Sequence, residues 1–255
     1  MADGTFEPVR KIETIERTTR TSPRLKARIA GALWLLVMAG GMAGFVINSG
    51  LMVRGDAAAT ADRILASETL FRAGFTANLL AGVCYVGVTV LLYDVLKPVS
   101  RVVSLLAAFF GLGGVAIGGV GYISNLAPLV LLKSAPDLTA FTLGQIQAMA
   151  LIFLRLYAQS FNMGMLLFGC QCALAGWLIV RSTFLPRVLG VLLAAGGLSY
   201  VVSSIANFLS PAFGASVSPY ILPAVFLGEG SLSVWLTAAG VNASRWEEQA
   251  AAVAP

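Results

Sequence analysis

One acid set deep in an apolar run is the residue of this chain best placed to do chemistry. Glu229 stands in Leu227-Gly228-Glu229-Gly230-Ser231, about midway along a segment long enough to cross a bilayer, where an ionisable side chain is costly and is by default a functional hypothesis. Two chemistries suit it. Paired with a buried Arg, the carboxylate stays ionised and forms a polar contact; desolvated without a partner, it keeps its proton and can serve as a general acid or base.

Depth along the helices, at ~1.5 Å per residue, shows where its partners fall. Asn48, Asn78, Asn125, Gln159, Asn162 and Asn207 lie in the outer half, with Glu68, Arg72 and Arg155 near the outer rim; the inner half has chiefly Gln171 and Asp94. This bias predicts an outward-opening polar cavity floored near Glu229, with Glu229, Arg72, Glu68, Arg155, Gln159, Asn162 and Asn78 as ligand-binding candidates. Glu68 and Arg72, spaced i, i+4, share a helix face and can pair. A structural role competes with each: Asn and Gln are common hydrogen-bond glue between membrane helices, and an Arg at the rim can snorkel to headgroups.

Other chemistries fall away. The chain has no His, which excludes Ser-His-Asp and Cys-His mechanisms, His-ligated haem and most zinc sites; no metal and no cofactor is expected. Cys170 and Cys172 sit in apolar helix far from Cys84 and read as inert buried thiols. Gly111-Leu112-Gly113-Gly114-Val115-Ala116 imitates a dinucleotide fingerprint, but inside a spanning helix without a preceding strand it is discarded.

The elements that position these residues are membrane spans. Apolar residues make up 58% of the chain and charged ones 11%, with a mean hydropathy of +0.85, which rules out a water-soluble domain. A hydrocarbon core ~30 Å thick takes about 20 apolar helical residues. Such spans are predicted at Ile29 to Val53, Leu70 to Leu96, Val102 to Leu132, Met149 to Val180, Val188 to Leu209 and Tyr220 to Gly240, giving an all-α, six-helix transmembrane bundle.

Charge sets its orientation. The net charge of +5 does not point to nucleic acid, because the bases form no cluster on a polar domain. Arg10, Lys11, Arg17, Arg20, Arg24, Lys26, Arg28, Lys97, Arg101, Arg181, Arg187 and Arg245 fall on one side of the threading, and only Arg54, Arg63, Arg72, Lys133 and Arg155 on the other. The positive-inside rule therefore places both termini in the cytoplasm, in a bacterial cytoplasmic (inner) membrane.

Residues 1–27 are expected to be a mobile cytoplasmic tail, too poor in large apolar groups to fold alone, residues 28–242 the six-span domain, and 243–255 a short cytoplasmic C-terminal tail. The first apolar run is too long for a signal-peptide core and lacks a cleavage site, so it should stay as an anchor. Ala57 to Ser67 and Leu138 to Ala148 are predicted as short outer helices or extensions of spans, with Asp137 a plausible N-cap. At the inner face Lys97-Pro98 and Arg181 to Arg187 join helices tightly.

The first, third and fifth spans each begin near an Arg (Arg28, Arg101, Arg187) and carry an outer Asn (Asn48, Asn125, Asn207), a pattern that suggests three tandem hairpins but is better explained by independent basic feet and an inexpensive Asn near each outer end. Gly40-xxx-Gly44 and Gly114-xxx-Gly118 have the spacing of close helix contacts, with Gly111, Gly121, Gly196 and Gly197 as further small residues. They serve contacts within the chain, a homo-oligomer or another membrane partner alike.

Arg181-Ser182-Thr183-Phe184-Leu185-Pro186-Arg187-Val188-Leu189-Gly190, then Gly197-Leu198-Ser199-Tyr200, then Gly228-Glu229 with Val234-Trp235-Leu236 and Gly240-Val241, together resemble the bacterial membrane family catalogued as domain of unknown function 4386. The resemblance runs from about Arg28 to Asn242 and includes Arg72 of Phe71-Arg72. It implies an integral membrane protein and assigns no activity. Gln171 departs from the family pattern, which has His there in many members; Gln keeps a hydrogen bond but takes up no proton near neutral pH.

Three readings follow. The first is a non-enzymatic membrane protein that binds or passes a small molecule or lipid; its partners are then the bilayer and that ligand. The second is an intramembrane lipid-modifying enzyme with Glu229 as acid or base, for which no nucleophile or metal is visible. The third is a structural or regulatory subunit held by its glycine-rich faces.

Overall fold

The structure is a computed structural model that describes residues 22–253, with the side chains of 215, 217–220, 222 and 253 left aside. Most of the expected N-terminal tail, residues 1–21, lies outside the described residues. The described chain is all helix: α1 Pro23–Leu51, α2 Ala57–Ala66, α3 Glu68–Leu96, α4 Arg101–Lys133, α5 Leu143–Arg181, α6 Arg187–Leu209, α7 Pro211–Val225, a π-helical turn Phe226–Gly230, α8 Ser231–Ala238 and α9 Ala243–Val253.

Five of these helices, α1, α3, α4, α5 and α6, are each long and apolar enough to cross a membrane. A sixth candidate span is the bent pair Pro223–Ala238 and Ala243–Ala252, whose halves meet at 104°. The chain is thus a helical multi-pass membrane protein. Burial ranks the helices: half of the apolar window of α5 is buried, against 22% in α1 and in α4. The fourth predicted span is therefore the inner post, and α1 and α4 keep broad apolar faces for lipid.

Local sequence explains where the helices stop and start. Ser22 caps α1 through its side chain, with Pro23 at the first helical position, where a missing N–H costs nothing. Pro23 to Ala27 thus belong to α1, so helix begins five residues before the expected domain edge. Ser100 caps α4. The cap of α5 is Thr142, with Gln145 completing a reciprocal capping box; Asp137, the cap expected from sequence, lies in the turn before it. Of the two segments expected on the outer side, Ala57–Ala66 is a separate short helix capped by Asp56, and the second runs through a turn into α5.

Packing depends on glycine at close approaches, since apolar burial gives helices little reason to associate in lipid. Gly40 and Gly44 press α1 onto Ala77, Ala81 and Asn78 of α3. Gly114 meets Gly164 of α5, while Gly118 faces open space, so only part of that second pattern is used. A close backbone crossing joins α5 and α6, where Gly169 opposes Gly197 and Gly176 opposes Gly190; a Cβ at Gly176 would stand 2.5 Å from the Gly190 carbonyl oxygen.

The first and last spans close the bundle. A Cβ at Gly31 would stand 2.5 Å from the Thr237 nitrogen, so α1 and α8 touch backbone to backbone. Gly240, at φ +69°, ends α8 in the left-handed conformation that glycine adopts without strain. Arg28 donates to the Thr237 and Ala238 carbonyls at 3.0 Å each, and Arg24 to Ala239 at 3.2 Å. These cations meet the negative end of the α8 dipole.

Beyond the bend, Ala243–Val253 forms a helix held against the same end of the bundle. Trp246 Nε1 donates to the Val95 carbonyl at 2.8 Å, and Gln249 Oε1 accepts from the backbone N–H of Thr183 at 3.0 Å.

Candidate functional site

Glu229 sits where the last span is irregular. The Phe226–Gly230 turn is π-helical, a feature that inserts a residue into a helix and recurs at functional sites. Small residues permit it: a Cβ at Gly228 would lie 2.6 Å from the Leu192 carbonyl oxygen of α6. Serine hydroxyls take up the loosened carbonyls, Ser231 bonding Leu227 and Gly228, and Ser233 bonding Glu229 at 2.7 Å.

The carboxylate points into the bundle and is only 6% exposed. Its Oε2 accepts from Trp34 Nε1 of α1 at 3.1 Å. Its Oε1 is buried and has no hydrogen-bond partner among the described residues; Tyr200 lies beside the group without a well-formed bond to that oxygen. No Lys or Arg pairs with Glu229 among the described residues. Leaving such an oxygen unmatched costs about 1–3 kcal/mol, so the surroundings tolerate a standing penalty here.

Aromatic rings wall the acid. Trp34 meets Tyr85 edge-on at 6.4 Å between centroids, Tyr85 meets Phe168 at 5.0 Å, and Phe168 meets Tyr200 at 5.4 Å. These four rings come from α1, α3, α5 and α6. Tyr85 donates its hydroxyl to Gln171 Oε1 at 2.6 Å, and Cys172 is buried next to the same cluster. Gln171 therefore fixes the orientation of a wall residue.

The other six candidates stand apart from Glu229. Glu68 pairs with Arg72 at 2.8 Å, as the i, i+4 spacing predicts, and also with Lys133 at 3.0 Å; the triad joins the N-terminal end of α3 to the C-terminal end of α4, with Arg72 and Lys133 exposed and Glu68 half-buried. Asn78 is buried between α1 and α5, its Nδ2 donating to Tyr157 at 3.5 Å. Arg155 and Gln159 are exposed and Asn162 is half-buried on α5. None of the six shares a hydrogen bond or ion pair with Glu229 among the described residues. A small cavity of about 10 Å³ beside Gln171 and a groove of about 810 Å³ at the Arg187 end are lined by none of the seven.

Two of the amides expected in the outer half pair with each other. Asn125, wholly buried, donates to Asn48 at 3.4 Å, leaving Asn48 Nδ2 and Asn125 Oδ1 buried without partners among the described residues. The third residue of the suggested repeat, Asn207, instead bonds its own helix at Ser203, 2.9 Å away.

Sequence reasoning missed Trp34, Tyr85, Phe168 and Tyr200. Trp34 carried a usable signal: it lies within the first apolar run, where an indole N–H turned into the bundle needs an acceptor.

Among the described residues no group of three or more His, Cys, Asp or Glu is arranged to hold a metal ion. No solved structure matches the chain. An archaeal relative from Archaeoglobus fulgidus, described as "Uncharacterized protein", is 26% identical over 155 residues, covering 61% of this chain and 76% of its own length. The family described as "Domain of unknown function (DUF4386)" matches residues 29–240, the stretch that carries all six candidate helices up to the Gly240 bend. The chain belongs to the DUF4386 family of multi-pass membrane proteins.

Proposed function

We propose that the protein binds or passes a small amphiphile that presents an N–H donor, an amine above all, to Glu229. The observation that carries this reading is the free Oε1 of a buried acid that has one oxygen already held by Trp34. The ring wall supports the same ligand class, because Trp and Tyr faces attract cations most strongly when water is excluded. Approach is from the outer half, where buried Asn48 and Asn125 leave polar atoms unmatched. Both termini are cytoplasmic and the membrane is the bacterial inner one. In support, Arg24, Lys26, Arg28, Lys97, Arg181, Arg187 and Arg245 gather at one end of the bundle.

Three single-chain additives of equal length, dodecylamine, dodecanol and dodecanoate, test this in maltoside micelles by thermal unfolding. Dodecylamine should raise the midpoint, dodecanoate should not, and Glu229→Gln should abolish the difference while keeping an acceptor for Trp34. Equal shifts from the amine and the carboxylate, or an amine effect that survives in Glu229→Gln, would overturn the reading. Turnover of a lipid on incubation would move the assignment to the enzymatic alternative.

A further inference from the structure

The groove of about 810 Å³ at the cytoplasmic end lies far from Glu229 and has its own chemistry. It runs between the α5–α6 joint and α9, and its polar lining is Ser182, Thr183, Arg187, Arg245, Glu248 and Gln249. Its walls are fixed. Thr183 bonds Gln249 through both its backbone N–H and its hydroxyl at 3.0 Å, Arg245 donates to the Thr183 carbonyl at 3.4 Å, and the Asn242 N–H reaches the Phe184 carbonyl at 3.2 Å.

The charges on these walls are of both signs and do not neutralise one another. No ion pair within 4.0 Å joins Glu248 to Arg187 or Arg245, and neither the Glu248 nor the Arg187 side chain has a hydrogen-bond partner among the described residues. Opposite charges that line one groove yet stay apart suit a ligand that carries both signs on neighbouring groups.

The depth suits a headgroup. Arg181 stacks over Trp177 at 4.3 Å one turn before the joint, an aromatic and cation pairing typical of the membrane–water boundary. The 104° bend turns α9 away from the direction of the last span, as in a helix that lies in the interface plane.

We infer that this groove holds the headgroup of a zwitterionic lipid with a primary amine, phosphatidylethanolamine, its phosphate between Arg187 and Arg245 and its ammonium at Glu248. The guanidiniums supply the donors that phosphate needs, and the carboxylate selects against headgroups that lack a cation.

Native mass spectrometry of the full chain reads the outcome directly, with phosphatidylethanolamine and phosphatidylglycerol of identical acyl chains added at equal concentration. The wild type should retain the ethanolamine lipid about fivefold better, the weight of one interfacial charge. Glu248→Lys should reverse the order, and Arg187→Gln should weaken both lipids; these side chains are exposed, so the fold survives. Equal or preferential retention of phosphatidylglycerol by the wild type, no retained lipid at all, or an unchanged order in Glu248→Lys would overturn the assignment. The wild-type comparison needs no variant, so it decides the matter even where a substitution lowers expression.

Discussion

The contact between Trp34 and Glu229 can be weighed by a double-mutant cycle. The two residues are 195 positions apart, so no local propensity couples them, and any interaction energy arises from the folded contact. Trp34→Phe keeps a ring against Tyr85 but removes the N–H that Oε2 accepts, leaving both carboxylate oxygens of a 6% exposed group without a well-formed partner. An unmatched buried acceptor costs about 1–3 kcal/mol. Glu229→Leu orphans the indole N–H instead and costs a comparable amount. The double variant has neither orphan, so both penalties appear in the coupling, about 2–6 kcal/mol, and the loss of ring volume cancels within it. Reversible unfolding in mixed micelles titrated with a denaturing detergent measures all four proteins. Effects that add to within ~0.5 kcal/mol would show that indole and carboxylate do not hold each other, and the geometry behind the proposed ligand contact would fall with them.

Further expectations concern the bundle that carries the site. Gly176→Ala should destabilise by about 1–3 kcal/mol, since its Cβ would meet backbone atoms of Gly190 and Ala194, whereas Gly118→Ala, with nothing within 4 Å, should be neutral or stabilising; equal effects in thermal unfolding would refute the crossing. Asn125→Leu alone should cost about 1–3 kcal/mol by orphaning Asn48, and the pair Asn48→Leu with Asn125→Leu should recover most of it, as read by the same unfolding. Asp94 draws Lys26 and Lys97 together at the C-terminal end of α3 and is about one-fifth exposed. Asp94→Asn should cost about 1 kcal/mol and the loss should shrink in high salt; a salt-independent loss would argue against the ion pairs.

Five spans were legible because lipid demands long apolar helices, and a run such as Val102 to Leu132 has no other explanation. The sixth was legible as an apolar run but not in its shape. Gly228 and Gly230 read as small residues around an acid, and nothing local shows that the helix widens there, because the π turn is set by how Gly228 presses on Leu192 of α6. The i, i+4 pair of Glu68 and Arg72 was legible because one helix determines it; Lys133 joining them depends on how α4 stands beside α3. Depth along each helix carried no information about rotation, so Arg155 and Gln159 are exposed on the bundle surface while Asn78 is buried. The aromatic wall eluded sequence reading because its members come from four different helices.

The seam between the first and last helices also sets a schedule for biogenesis. Trp34, Arg24 and Arg28 emerge from the ribosome early, and their partners Glu229, Ala239 and Thr237 come about two hundred residues later. At ~5–20 residues per second the first helix waits roughly 10 to 40 s in the membrane with an indole and two guanidiniums unmatched. A nascent chain that stops short of residue 229 can insert four or five helices and still lack its keystone, so truncation leaves a lasting mark on the very first segment made.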